Sequence, residues 1–468
     1  MTTVITPIIP NKQTFAKVDA PHELHLEAIC VFVAIGFFLD QDTYWKDQVV
    51  LPPASNNSLN DSGVLISSKP WFQWHYAPRD MTFEQALEEF ANLFETIISE
   101  QTQGKKVILP LSGGLDSRTQ ATAFKQLGTE VTSYSYEFEN GYPETQIARK
   151  IAKACGFEFK GYSISKGYLW DCLDTLAALN GCYSDFTNPR QMAIYDEFSR
   201  LDGEVFSLGH WGDVLFDDMK VPEDLPLEQQ VETVLKKILK KGGLELAEQL
   251  WTSWNLEGEF YDYLKDRIAQ LLGAIAIPQC ANARIRAFKS LYWAPRWTSI
   301  NLAVFEKWHP ITMPYYNDRM CEFICTVPEI YLKDRQLQIE YVKTRAPELA
   351  KITWQNHRPF NLNNYQWDSF PFNTWYKVFH KLKREGNAIL GKPFVQRNWE
   401  LQFLGRENEN RMREALYANE PLNWIPKPLV DDAIANFYRR PEPKTAHPLN
   451  MLLVLAKFSG LNASASSA

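Results

Sequence analysis

Apolar residues first fall into a clear rhythm after Thr82. Phe83, Ala86, Leu87, Phe90, Leu93, Phe94 and Ile97 recur at three- and four-residue steps, which predicts an amphipathic helix with Thr82 as its cap. The helix leads into an apolar run at 107–111 that reads as a buried strand. Helix and strand patterns then alternate: a helix at 119–127, a strand at 131–138, a helix at 144–155, a strand at 157–163, helices near 169–179 and 190–200, and a strand at 204–208. Such alternation predicts an α/β fold, a parallel sheet with helices on both faces, in which ligands bind beyond the carboxyl ends of the strands. Past Pro222 the strand signals fade. Segments 225–272, 340–350, 374–390 and 447–458 carry helical patterns and predict a helical C-terminal part.

Ahead of Thr82 the pattern is different. Short apolar runs, turn signals at Asp40-Gln-Asp and Pro52-Pro53, and the polar stretch 55–63 predict a small β-rich unit over residues 1–80. The longest apolar run, 29–39, is too short to span a bilayer and contains Gly36, so it reads as one or two buried strands. The first seven residues lack the charged start and apolar core of a signal peptide. A cytoplasmic protein without a membrane segment is the expectation.

Composition adds exclusions. The chain has 468 residues, 45% of them hydrophobic and 13% aromatic, enough for two or three packed units. Its formal net charge of −7 gives no basic footprint for nucleic acid. Seven cysteines, at 30, 155, 172, 182, 280, 321 and 325, contain no Cys-x-x-Cys pair and read as free thiols. The aromatic wealth near 292–316 and 354–376 reads as core, with a substrate pocket as the alternative. Oligomeric state is not legible.

The chemistry concentrates at Leu109-Pro-Leu-Ser-Gly-Gly-Leu-Asp-Ser-Arg118. Two glycines let the backbone turn tightly around a bulky anion, and the helix start that follows presents unpaired N–H groups to it. The loop lacks the Gly-x-x-x-x-Gly-Lys spacing of a Walker A motif. Instead Ser112 and Ser117 bring hydroxyls and Asp116 a carboxylate, a set suited to pyrophosphate with Mg²⁺. A second turn, Gly209-His-Trp-Gly-Asp-Val-Leu-Phe216, follows the 204–208 strand. Paired with the first loop, Asp116 and Asp213 form a candidate two-carboxylate Mg²⁺ site.

The hexamer Ser112–Ser117 resembles the PP-loop of ATP pyrophosphatases, in which ATP is cut between its α- and β-phosphates. With the second turn, the arrangement is similar to the asparagine synthetase family, whose Gly-Glu-Gly-Ala-Asp-Glu-Leu-Phe turn is matched here at Gly209, Asp213, Leu215 and Phe216. The family's glutamate, thought to act as a base near the attacking amine, is replaced by His210. Met313-Pro-Tyr-Tyr-Asn-Asp318 resembles the family's Arg-x-Pro-Phe-Leu-Asp segment, with Thr312 in place of the arginine. Glu340–Lys343, Pro347–Ala350 and Ile352–Phe360 resemble the helix and cationic loop that follow. The family carries a pyrophosphate-stabilising lysine there; His357 and Arg358 are the candidates, and the permanent cation and planar fork of Arg358 favour it.

The resemblance covers residues 80–460 and implies a domain over 81–468 that binds ATP through Leu111, Ser112, Gly113, Gly114, Asp116, Ser117 and Gly209, with Mg²⁺ at Asp116 and Asp213. It implies a substrate carboxylate activated as an acyl-adenylate and passed to an amine, with His210 as the proton acceptor and Arg358 as the stabilising cation. Near the N-terminus, 36–43 and 50–54 resemble the later part of the family's glutaminase domain. No cysteine stands at the start, and about 80 residues are too few for the usual sandwich, so an inactive, reduced domain is expected. The amine is then ammonia or belongs to a small-molecule or peptide substrate, as in β-lactam synthetases and lasso-peptide cyclases, which resemble this module. The alternatives are a PP-loop protein that transfers adenylyl groups, or a nucleotide-binding protein without amide synthesis.

Overall fold

Five parallel strands carry the centre of the molecule. The computed structural model describes residues 15–390, 393–417 and 424–466; the reading of the first seven residues and the last two positions of the Ser/Ala tail lie outside them. The strands are β5 (Val107–Pro110), β6 (Val131–Phe138), β7 (Glu158–Ile164), β8 (Val205–Ser207) and β9 (Ile311–Thr312), in the order β7-β6-β5-β8-β9. Val107 pairs with Val131 on one side and Val205 on the other. The order therefore reverses direction at the β5/β8 pair, the point beyond whose carboxyl strand ends open α/β sheets bind ligands. The α/β class with helices flanking a parallel sheet and a helical C-terminal part is as the patterning predicts.

The helices next to the sheet follow the periodicities closely. Phe83–Thr102 opens with Thr82 in a full capping box with Gln85, and it buries Ala86, Phe90, Phe94 and Ile97. Asp116–Leu127 and Glu144–Cys155 end on left-handed Gly128 and Gly156. Tyr168–Asn180 is regular, whereas Arg190–Arg200 is a 3₁₀ segment kinked at Ile194. The 225–272 region resolves into three helices, Leu227–Ile238, Gly243–Ser253 and Phe260–Ala274.

One expectation is overturned. The run 29–39 is not strand: Leu26–Ile35 is a helix in which every residue from Ala28 to Ile35 is buried, closed by Gly36 at φ +83°. A helix buried on all sides has no polar face, so its 3.6-residue period is invisible, and Ile29, Val31, Val33 and Ile35 mimic a buried strand. The strands before Thr82 are two short antiparallel ribbons, β1 (Phe15–Lys17) with β2 (Gln48–Val50), and β3 (Ser55–Leu59) with β4 (Leu65–Pro70). This N-terminal segment packs into the rest of the chain. Tyr44 stacks on Phe458 at 3.6 Å between ring centroids, and the Tyr44 hydroxyl donates to the Cys182 carbonyl at 2.5 Å.

The buried helix packs most closely where Gly243 meets it. A methyl at Gly243 would lie 2.4 Å from the carbonyl oxygen of Ala34, a backbone atom with no freedom to retreat. Gly243→Ala should therefore force the two helices apart and destabilise the fold by about 1–3 kcal/mol. Urea unfolding followed by tryptophan fluorescence measures this; an unchanged midpoint would show that the contact is looser than the geometry states.

Candidate functional site

Leu111 follows β5 with its N–H bonded to the Tyr134 carbonyl at 2.8 Å, and the chain then turns through Ser112, Gly113 and Gly114. The turn is held from inside. The Ser112 N–H donates to the Ser117 hydroxyl at 3.0 Å, the two hydroxyls are 3.0 Å apart, and the Gly114 N–H donates to the Ser112 hydroxyl at 3.1 Å. Gly113 is gripped from outside: its N–H donates to the Gln355 side-chain oxygen at 3.0 Å, while the Gln355 N–H donates to the Gly113 carbonyl at 3.0 Å. A Cβ at Gly113 would stand 2.9 Å from the Gln355 side chain, so only glycine permits this approach.

Below the loop, Arg118 is fully buried and spends its guanidinium on four carbonyls, those of Leu349, Ile352, Gly113 and Thr353, at 2.7–3.3 Å. Burial pushes its pKa down to about 10. It ties the segment carrying Gln355 to the first turn of the loop helix.

The second turn comes down on Asp116. A Cβ on Gly209 would touch Asp116 Cβ at 3.4 Å, and one on Gly212 would collide with the Asp116 carboxylate at 2.0 Å. Gly212 was not singled out by motif matching; its necessity is visible only in space. Trp211 holds the turn at φ +73°, a left-handed conformation that a bulky residue adopts at a cost of about 1 kcal/mol, and its ring stacks on Tyr316 at 4.2 Å.

Asp116 and Asp213 are electrostatic neighbours, as the pairing of the loops predicts. Burial pushes the Asp116 carboxyl up, Arg335 pulls it down, and the Asp213 charge adds to the rise. Arg335 and Gln338 both donate to Asp116 Oδ1, Gln338 at 3.1 Å, and the Tyr315 hydroxyl donates to the Asp116 carbonyl at 3.0 Å. Arg335 and Gln338 carry no motif signal, and Tyr315 stands in the Met313–Asp318 segment, where the resemblance does not assign it to Asp116. Arg335 sits with Asp334 in consecutive left-handed positions, a backbone feature that sequence does not announce.

Among the described residues no group of three or more His, Cys, Asp or Glu side chains is arranged to hold a metal ion. Two carboxylates, one exposed at Asp213 and one lined up at Asp116, nevertheless fit Mg²⁺, a hard cation bound typically by one or two carboxylates together with substrate phosphates and water.

His210 lies beside this pair, with its ring half-buried and Nδ1 sealed from water without a hydrogen-bond partner. Burial pushes its pKa down to about 4 against the opposing pull of Asp213. His447 behaves alike: its Nε2–H donates to the Val33 carbonyl at 2.8 Å, and burial takes its pKa to about 4. Unfolded, both would bind a proton near pH 6.5. The folded state does so only near pH 4, so their contribution to stability is complete above pH 6.5 and is lost as pH falls toward 4. Thermal melts across this window should fall with pH, and His447→Gln should flatten the fall; a slope indifferent to that change would remove His447 from the account.

The structure separates the two cationic candidates. His357 Nδ1 lies 3.1 Å from an Asp368 carboxylate oxygen. The Arg358 guanidinium lies 3.5 Å over the Tyr142 ring, and its Nη1 is buried without a partner. Arg358 approaches the loop through Glu144, which faces Arg358, Arg190 and Gln355.

A parallel sheet with a Gly-Gly loop and a second acidic turn at its reversal point defines an α/β fold of the PP-loop type. Residues 89–329, just over half of the chain, match the asparagine synthase family, and the chain belongs to that family. Other likenesses are slight. A curated relative, the phosphoglucosamine mutase of Dictyoglomus thermophilum, is 36% identical over 101 residues, covering 18% of this chain and 22% of that protein. The chain thus spans about a fifth of that relative's length. NMN synthetase from Francisella tularensis superposes with a TM-score of 0.22 at 18% identity, over 29% of this chain and 58% of that one. NAD⁺ synthetase from Burkholderia pseudomallei gives 0.16 at 14% identity, over 54% and 92%. No described helix is long and apolar enough to cross a membrane.

Proposed function

We infer that this protein is an ATP-dependent amide-bond-forming ligase that adenylates a substrate carboxylate and passes the acyl group to an amine. The observation that supports the reading is the packing of Asp116 against Gly212, which brings the Ser112–Ser117 loop and the turn carrying Asp213 side by side. Ser112, Gly113, Gly114 and Ser117, with Leu111 and Gly209 framing them, would hold the pyrophosphate portion of ATP. Asp116 and Asp213 would hold Mg²⁺, which when bound offsets the charge that gathers on departing pyrophosphate. The carboxylate oxygen of the substrate attacks the α-phosphorus and pyrophosphate leaves; the amine then attacks the acyl carbon and AMP leaves.

His210 is neutral at physiological pH and so in the form that accepts the proton of the attacking amine. Phosphate charge brought in with ATP favours its protonated form and would raise its pKa from that low value. Arg358, with an unpartnered Nη1, is the cation available to the developing phosphate charge. Residues 1–80 are proposed as a reduced glutaminase-like domain without hydrolytic activity. The first cysteine, Cys30, supports this: it is buried in a helix and burial pushes its thiol far up, the opposite of a nucleophile's environment. The amine is therefore ammonia or part of a small-molecule or peptide substrate.

A second reading, nucleotide binding without turnover, is favoured by one contact, the ion pair that already joins Arg335 to Asp116. Incubation with Mg-ATP and pooled cell metabolites, with hydroxylamine as acyl trap, decides between them. Release of AMP and pyrophosphate with a hydroxamate is the expected result. ATP binding with no pyrophosphate under any condition would establish the second reading.

A further inference from the structure

The helix Thr374–Ile389 stands away from the body of the protein. Trp375, Val378, Phe379 and Leu382 are all more than half exposed, Leu382 at 62%, and their spacing of three, four and seven residues puts them on one face. The loop that leads into the helix adds Trp367 and Phe370, the latter 83% exposed. The remaining surface of the helix is basic: Lys377, Lys381, Lys383 and Arg384 against Glu385, on a chain whose formal net charge is −7. The opposite side of the helix carries Tyr376, half-buried with Tyr142 as its electrostatic neighbour and packed within the helix on His380 at 4.1 Å between rings.

We propose that this helix and its preceding aromatic loop dock the protein on an anionic lipid bilayer, lying in the interface and not crossing it. Charge complementarity selects that occupant. An apolar face with tryptophan and phenylalanine, bordered by lysine and arginine, matches the boundary between acyl chains and negative headgroups. A second copy of the chain would bring two basic helices together and set like charges against each other. A peptide helix would need a groove, whereas this face is carried by a single projecting helix.

The test uses the full chain with vesicles of phosphatidylcholine alone and of phosphatidylcholine with phosphatidylglycerol, read by co-sedimentation and by the blue shift of tryptophan emission. Binding should require phosphatidylglycerol and weaken with salt. The pair Phe379→Ser and Leu382→Ser should reduce it by roughly tenfold or more, and the pair Lys377→Gln and Lys383→Gln by roughly tenfold. These positions are exposed, so unchanged melting curves and unchanged pyrophosphate release are expected for both variants. No binding to the anionic vesicles, equal binding to neutral ones, or binding indifferent to the serine pair would overturn the proposal. So would a concentration-dependent dimer in sedimentation velocity that the serine pair abolishes, which would give the face to a second copy.

Discussion

Asp116→Asn should lower ATP-dependent pyrophosphate release by roughly a thousandfold or more, the scale on which removing a metal-binding carboxylate or a preorganised charge acts. Asparagine keeps the shape and one oxygen, so Gln338 retains an acceptor and Gly212 keeps its neighbour. What disappears is the charge. Two effects then combine: Mg²⁺ would lose one of its two carboxylates, and the half-buried Arg335 loses its counter-ion. The second effect predicts a measurable loss of stability, because one partner of a part-buried ion pair is left uncompensated. A companion change, Arg335→Gln, separates the two. It removes the internal cation while keeping the Asp116 carboxyl, for which Mg²⁺ then supplies the counter-charge, so stability falls and Mg²⁺-dependent release persists. If Asp116→Asn releases pyrophosphate at the parent rate, Asp116 is a structural partner of Arg335 and the metal assignment fails. Isothermal titration with Mg-ATP, set beside the rate, shows whether binding or chemistry is lost.

How far the site could be read beforehand depends on how local its parts are. The anion loop is contiguous and needs glycines and hydroxyls at fixed offsets, so Ser112 to Ser117 were legible. The turn at Gly209 to Phe216 was legible as a partial match, and Asp213 does come beside Asp116. Arg335 and Gln338 were not, and Tyr315 was legible only as part of the Met313–Asp318 segment, not as a partner of Asp116. They reach Asp116 from more than 190 residues away along the chain, through an interior contact that leaves no local pattern. The same physics explains the one wrong element. Leu26–Ile35 is enclosed on every side, so the polar face that betrays a helix is missing, while the half-buried helix Phe83–Thr102 shows its cap at Thr82 and its apolar period through Ile97 in the sequence. Gly212 and Gly243 carry close approaches that only the partner backbone or side chain makes visible.

Arg118 is the point at which fold and site are joined, and its removal is expected to harm both. Arg118→Met fits the same buried channel but leaves the carbonyls of Leu349, Ile352, Gly113 and Thr353 without their donor. Orphaned buried acceptors of this kind cost about 1–3 kcal/mol each when nothing replaces the donor; some relax toward water or other donors, so a net loss of about 3–5 kcal/mol is the expected outcome. The consequence for the site follows from which segment is released. Residues 349–353 lead directly to Gln355, which holds both the N–H and the carbonyl of Gly113, so the anion loop loses its outer support. Arg118→Met should accordingly weaken ATP binding beyond what the melting temperature alone explains. Arg118→Lys supplies the contrast: it keeps the charge, but a point cation on a flexible stem replaces a planar fork that reaches four carbonyls at once. An intermediate stability with ATP affinity nearer the parent is expected for lysine. Equal ATP affinity in all three proteins, measured below their melting temperatures, would mean that the loop holds its shape through Ser112 and Ser117 alone.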